Sequence, residues 1–220
     1  MSAPITHIVL SSLIHAKFFL DRDYASYIIG TSFPDIRYFG AIDRQSTHKL
    51  ATIEEVWHDL SPFDLGVKVH VLTDEVSEKA RQGAGLYRLL PPSPQVFKAI
   101  KLVEDRIMYA QLTNWPAIAL LLNAVVDEER QYGIQTEKVV QWHNLIRNYI
   151  SHPPSLESGS VFLDGCGVAK EGIAEIAILL KSIESDSEII KQINHSLAGS
   201  HLALVKILDR SNSFQKCKAA

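Results

Sequence analysis

The chain has 220 residues, a formal charge of −3, 46% hydrophobic residues and 21% charged residues. That balance excludes a disordered chain and gives no electrostatic basis for broad nucleic-acid binding, and the length fits one large domain. Its two cysteines, Cys166 and Cys217, lie far apart and suit neither a disulfide framework nor a thiolate metal site.

The opening Met-Ser-Ala-Pro-Ile-Thr-His lacks a basic segment and makes a poor signal peptide. The longest apolar run, 117–126, is about ten residues, too short to cross a bilayer of about 30 Å. The expectation is a cytoplasmic protein without a stable membrane anchor.

Helical periodicity dominates, and no alternating β-branched run is long enough for a strand. Ile5, Ile8, Val9, Leu13 and Ala16 recur at helical spacing, which predicts a first helix over 4–20 starting at Pro4. A second is expected over 22–29, closed by Gly30 as a C-cap, after which Pro34 breaks helix. Residues 39–47 read as loop and 49–60 as helix, and Ser61-Pro62 opens the helix that carries His70 and Asp74. Leu90-Pro91-Pro92-Ser93-Pro94 is the clearest break. Beyond it, apolar periodicity predicts helices over 95–110, 115–131 and 135–151. A Gly/Ser-rich loop is expected over 158–167, then helices over 169–184 and 187–209. Residues 211–220 read as a flexible polar tail. The expected architecture is all-α, a single-domain bundle of about eight helices over 1–210.

His70 and Asp74 stand four residues apart, so on a helix an imidazole and a carboxylate converge on one point. Both are ordinary ligands of zinc and similar ions. Leu65, Val69, Leu72 and Val76 form the apolar stripe of this helix, and His70 and Asp74 point roughly the opposite way. Taken alone, that is a plain solvated face. A metal site requires a second layer of protein over it.

Upstream stand His7 on the first helix, Asp35 after a proline turn and His48 at the end of a loop. Each has a bland reading: a core histidine, an Asx-type turn residue, a loop residue. Together, five metal-type ligands fall in the first third of the chain. The runs Pro4-Ile-Thr-His7, Gly30-x-x-x-Pro34-Asp35-Ile36-Arg37-Tyr38, Thr47-His48 and Gly66-x-x-x-His70-x-x-x-Asp74-Glu75 resemble the zinc-dependent phospholipase C superfamily, which includes single-strand-specific zinc nucleases. The resemblance covers roughly residues 4–80 and leaves 91–210 as a divergent helical remainder. It implies an all-α fold and a cluster of up to three metals hydrolysing phosphate esters. It also implies that Asp35, His48 and His70 hold one ion, with Asp74 bridging to a second that His7 shares. Two cations about 3.5–4 Å apart can clamp a phosphoryl group and activate water. Asp35 can alternatively act as general base.

The sequence also departs from that pattern. Ala80 replaces the family's histidine six residues past the bridging aspartate. The downstream His-x-x-x-Glu pair is missing, since Arg147 follows His143. A smaller centre of one or two zinc ions, or another first-row divalent ion, is therefore expected. Arg37 is a candidate catalytic group, and Arg37 and Arg44 are candidate phosphate-binding residues, with surface solubility charges as the alternative. Glu104-Asp105 and Asp127-Glu128-Glu129 are candidates to complete the site, or else a solvated helix face.

His58-Asp59, with His15 and Asp105 or Asp127, invites comparison with the His-Asp phosphohydrolases. That comparison leaves the Pro-Asp-Ile-Arg run and the His70/Asp74 pair without a role. The leading expectation is a metal-dependent hydrolase of a small soluble phosphate ester, in preference to a lipid or a nucleic acid. The alternative is a non-catalytic helical scaffold that retains a structural metal.

Overall fold

Eleven α-helices and two 3-10 segments, with no strand, make up the described residues of a computed structural model, 4–48 and 60–219. In chain order, α1 is Pro4–Phe18, α2 Tyr24–Ser32, α3 Arg44–Thr47 and α4 Pro62–Gly83. After the proline-rich break come α5 (Val96–Tyr109), α6 (Trp115–Leu121), α7 (Asp127–Gln131) and α8 (Thr136–Ile150). The chain closes with α9 (Leu156–Gly165), α10 (Lys170–Ser185) and α11 (Ser187–Ala219). The all-α expectation holds. The helix expected over 49–60, and with it the His58-Asp59 pair, lies outside the described residues.

Helix starts follow local chemistry. Asp23 accepts from the Ser26 amide at the head of α2, and Ser61 accepts from the Asp64 amide at the head of α4, where Pro62 takes the first turn. Gly30 does not cap α2. The helix runs on to Ser32 and tightens into a 3-10 segment, Phe33–Phe39, with Pro34 in its first turn. Gly40, at φ 61°, ends that segment.

Four further expectations are corrected. Residues 115–131 split into α6 and α7, because the backbone leaves the helix after Leu121 and re-enters it at Asp127. The 158–167 stretch is not a loop. Ser155 and Ser158 cap each other reciprocally and start α9, whose Phe162 and Leu163 are buried. The 39–47 segment contains the short α3, headed by Asp43. At the C-terminal end, α11 continues to Ala219, past the last apolar periodicity.

A continuous apolar core threads α1, α2, α4, α5, α8, α10 and α11. Helix α4 lies at its middle. Leu65, Val69, Leu72 and Val76 are buried as the stripe predicts, but so are Val67, His70, Val71 and Thr73 on other faces. Its second face is covered mainly by α2. The two helices touch backbone to backbone, because a Cβ on Gly30 would lie 2.0 Å from the Phe63 carbonyl oxygen. One on Gly66 would lie 2.1 Å from that of Tyr27. Neither glycine has positive φ, so both serve the close approach and not a turn. On α4's other side, α11 packs with Gly199 over Ala80.

Gly66→Ala must push α2 off α4, and overpacking of this kind costs about 1–3 kcal/mol or more. Thermal and denaturant unfolding of Gly66→Ala and Gly30→Ala should both show losses of that size. Gly83→Ala, where nothing lies within 4 Å of the added methyl, should unfold like the parent chain.

Candidate metal centre

The α2–α4 contact brings Thr31 beside His70. His70 Nδ1 lies 2.8 Å from the Thr31 carbonyl oxygen. A carbonyl only accepts, so Nδ1 carries the proton and the Nε2 of neutral His70 presents a lone pair. Burial, and then the nearby His7 charge, push the His70 pKa down to about 3, so at neutral pH no second proton fills that position. The Nε2 lone pair faces Asp35 Oδ2 at 3.7 Å and Asp74 Oδ2 at 3.9 Å. His70 Nε2 and Asp35 Oδ2 are both buried without a hydrogen-bond partner among the described residues. Converging acceptors without a donor call for a cation.

His48 arrives with the same orientation logic. The Thr47 hydroxyl donates to the Pro34 carbonyl (3.4 Å), which leaves it to accept from His48 Nδ1 at 3.0 Å. His48 Nε2 is thereby a second lone pair, 3.5 Å from Asp74 Oδ2 and likewise without a hydrogen-bond partner. Its ring meets His70 edge-on at 5.4 Å. His7, on α1, stacks on His70 at 3.9 Å and sets its Nε2 3.3 Å from Asp74 Oδ1. Two ligand triads result, Asp35/His48/His70 and His7/His70/Asp74, each with its ligand atoms within 4.8 Å of one another. All five residues singled out in the sequence therefore meet. Their donor set, imidazole nitrogen with carboxylate oxygen, suits zinc or another first-row divalent ion.

The carboxylates are held ionised. Burial raises the Asp35 pKa, but at the low pH where it titrates its cationic neighbours, His70 first and then His7 and Arg37, outweigh burial and bring the group to about 2. At Asp74 burial also opposes ionisation, and at low pH the protonated histidines around it, His48 first and then His7, pull its pKa far below the ordinary carboxylate range. Arg37 does not stand free for a ligand. Its Nη2 donates to Asp35 Oδ1 (3.2 Å) and to the Tyr38 hydroxyl (2.6 Å), and its plane lies over the Tyr38 ring. It orients Asp35.

The acidic stretches on later helices are a solvated face only at Asp127 and, in part, Glu128. Glu104, Asp105 and Glu129 are fully buried, and each has a structural partner. Glu104 takes Arg81 in a two-pronged pair at 2.7 Å and 2.7 Å, joining α5 to α4. Asp105 accepts from the Thr6 amide (2.8 Å) and hydroxyl (2.9 Å), and so caps α1 one residue before His7. Glu129 binds His143 Nε2 at 2.8 Å and caps α7 through the Val126 amide. Asp127 is exposed beside Arg130. His15 sits 3.0 Å from the Arg22 carbonyl, which secures the α1–α2 turn. Ala80 faces α11, away from the cluster.

Sequence reasoning missed Lys101, whose Nζ lies 4.0 Å from Asp74 Oδ1. Its signal was the shared spacing of Lys101, Glu104 and Asp105, which places all three on one face of α5. The cluster opens at Asp74 and His48 into a cleft of about 590 Å³ that also takes in Arg44 and Lys101. A larger cleft of about 660 Å³, between α4 and α11, is lined by His195 and does not reach the histidines of the cluster.

Compared with known proteins, the chain matches no family model, no curated protein sequence and no solved structure.

The His70 geometry has a measurable consequence. Folded His70 titrates at about 3 and an unfolded histidine near 6.5, so between these values the unfolded chain binds the extra proton. The stability this gives is complete above pH 6.5 and is lost as pH falls toward 3. In chelator-treated protein the unfolding free energy should drop over that window with a slope approaching about 1.4 kcal/mol per pH unit from this group. His70→Gln should flatten the slope by about one proton. Equal slopes for the two proteins would contradict the assignment.

Proposed function

We propose that the chain is a metal-dependent hydrolase of phosphate esters. The observation that carries this reading is the meeting of the His70 and His48 lone pairs with Asp35 and Asp74 around one point, with no donor to either lone pair among the described residues. His7, Asp35, His48, His70 and Asp74 would hold one or two ions, zinc or another first-row divalent. Bound there, such an ion supplies Lewis acidity toward a phosphoryl oxygen and lowers the pKa of water toward neutrality. The resemblance of residues 4–80 to the zinc-dependent phospholipase C superfamily points to the same chemistry.

The chain's own residues set the rest. Asp35 has one oxygen on Arg37 and the other turned toward His70, which favours a ligand role over a general-base role. Arg37 is the positioning group that fixes its rotamer. The backbone of α2 fixes the His70 tautomer through the Thr31 carbonyl, and Thr47 does the same for His48. Arg44 stands exposed at the cleft mouth, where a guanidinium can pair with phosphate oxygens.

Substrate class follows from the cleft lining. Of the ten described residues around it, only Val71 is apolar and none is aromatic apart from His48. Among these residues an acyl chain finds no apolar wall, and a nucleobase finds no stacking platform of the kind single-strand binders use. A small, polar phosphate ester fits best. The scaffold alternative calls for a closed coordination shell. The opening of Asp74 and His48 to the cleft favours the catalytic reading instead.

Protein purified without chelator should carry the ion, and elemental analysis of Asp74→Ala should show the largest loss among single-ligand variants. In a screen of phosphomonoesters, phosphodiesters, phospholipids and single-stranded nucleic acid, small soluble esters should turn over best. Asp35→Ala and His70→Ala should lower kcat/KM by about a hundredfold or more, about 2.7 kcal/mol of transition-state stabilisation. Bound metal without turnover of any substrate would leave the scaffold.

A further inference from the structure

Resting on the reading of this cluster as a metal centre, we propose that it takes one ion, and that Lys101 supplies the second positive charge and binds the ligand's anionic oxygen.

The two ligand triads share His70. An imidazole whose Nδ1 proton is committed to the Thr31 carbonyl has one lone pair, and that lone pair serves one ion. With His70 spent on the Asp35/His48 side, the other side keeps two donors, His7 Nε2 and Asp74 Oδ1. Asp74 divides accordingly: Oδ2 faces His48 and His70, and Oδ1 faces His7 and Lys101. Two protein donors beside a fixed ammonium make a poor second cation site, because like charges a few ångströms apart repel strongly in a partly buried setting.

Charge counting agrees. Arg37 offsets Asp35 and Lys101 offsets Asp74, so a single divalent ion leaves its own charge available for an anion. A second ion would leave four positive charges uncompensated by the two paired carboxylates.

Lys101 is well placed to act on the ligand. Its side chain is only 20% exposed, yet it lines the cleft through which a phosphate group reaches Asp74 and His48. Residues three and four positions on, Glu104 and Asp105, are buried against Arg81 and Thr6, which fixes the rotation of α5 about its axis. Of the other cations of the cleft wall, Arg81 is held by Glu104 and Lys79 by Glu75, while Arg44 stands exposed at the mouth. Lys101 is thus an anion-binding group set in advance by its helix.

The test uses the full chain, stripped with chelator and reloaded with Zn²⁺, with two readouts. Elemental analysis after gel filtration should give one zinc per chain. Calorimetric titration with inorganic phosphate should show binding that weakens about tenfold to a hundredfold in Lys101→Ala. Lys101→Met, which keeps the apolar stem, should weaken it alike, while Lys101→Arg retains most of the affinity and all three keep one zinc. Lys101→Glu places a third donor beside His7 and Asp74 and should raise the stoichiometry to two. Two zinc ions in the parent chain would overturn the proposal while leaving the hydrolase reading in place, and so would unchanged phosphate affinity in both Lys101→Ala and Lys101→Met. A parent chain that takes up no zinc overturns both.

Discussion

The fold turns on the hydrogen bond from His70 Nδ1 to the Thr31 carbonyl. It exists because two glycines, Gly30 and Gly66, let α2 and α4 approach until backbone meets backbone. With side chains at those positions, the imidazole could not reach a main-chain carbonyl of the neighbouring helix. The bond then sets the tautomer, and the tautomer decides what the buried pocket can hold. A lone pair facing the buried Asp35 Oδ2 is unfavourable by itself, since both acceptors have left water without gaining a donor among the described residues. A cation resolves that, and a proton does not, because burial keeps His70 neutral at ordinary pH.

The surrounding helices hold this arrangement by polar contacts of unusual depth. Helix α5 turns a charged face inward, so Lys101, Glu104 and Asp105 reach Asp74, Arg81 and Thr6 on three different turns of α4 and α1. Breaking one partner of such a pair leaves a buried charge uncompensated, which is why these contacts fix geometry more firmly than they add stability. Behind the cluster, Trp142 of α8 donates to the Ser32 carbonyl at the end of α2, next to the turn that presents Asp35. Arg37 and Tyr38 close the same side. The ligands thus come from α1, the 3-10 turn, the end of α3 and α4. Arg37, Thr47, Thr31 and Lys101 contact Asp35, His48, His70 and Asp74 in turn, and His7 is placed through the Asp105 cap on α1.

Much of this was legible in the sequence, because local spacing carries it. The i, i+4 step puts His70 and Asp74 on one face, and Pro34-Asp35 and Thr47-His48 mark turns. The all-α class followed from periodicity. What was not legible depended on long-range packing. Amphipathic periodicity assigned His70 to a solvated face, yet it is buried because α2 covers that side. Gly30 looked like a helix stop, but it is a contact point whose partner stands 33 residues away at Phe63. Glu104, Asp105 and Glu129 looked like solvent-facing acids, since no local pattern distinguishes a carboxylate facing water from one facing Arg81, the head of α1 or His143. The Ser-rich 158–167 stretch has turn composition, yet paired serine caps and two buried apolar residues make it α9.

The central claim is that His70 Nε2 is an unprotonated ligand atom. Long-range proton–nitrogen NMR of the imidazoles tests it most directly, recorded on chelator-treated protein near neutral pH and again after one equivalent of Zn²⁺. The account predicts the Nδ1–H tautomer for His70 before metal, and a large shift of Nε2, with no loss of the Nδ1 proton, after it. A proton on Nε2 in the first spectrum, or a His70 resonance indifferent to zinc, would contradict it.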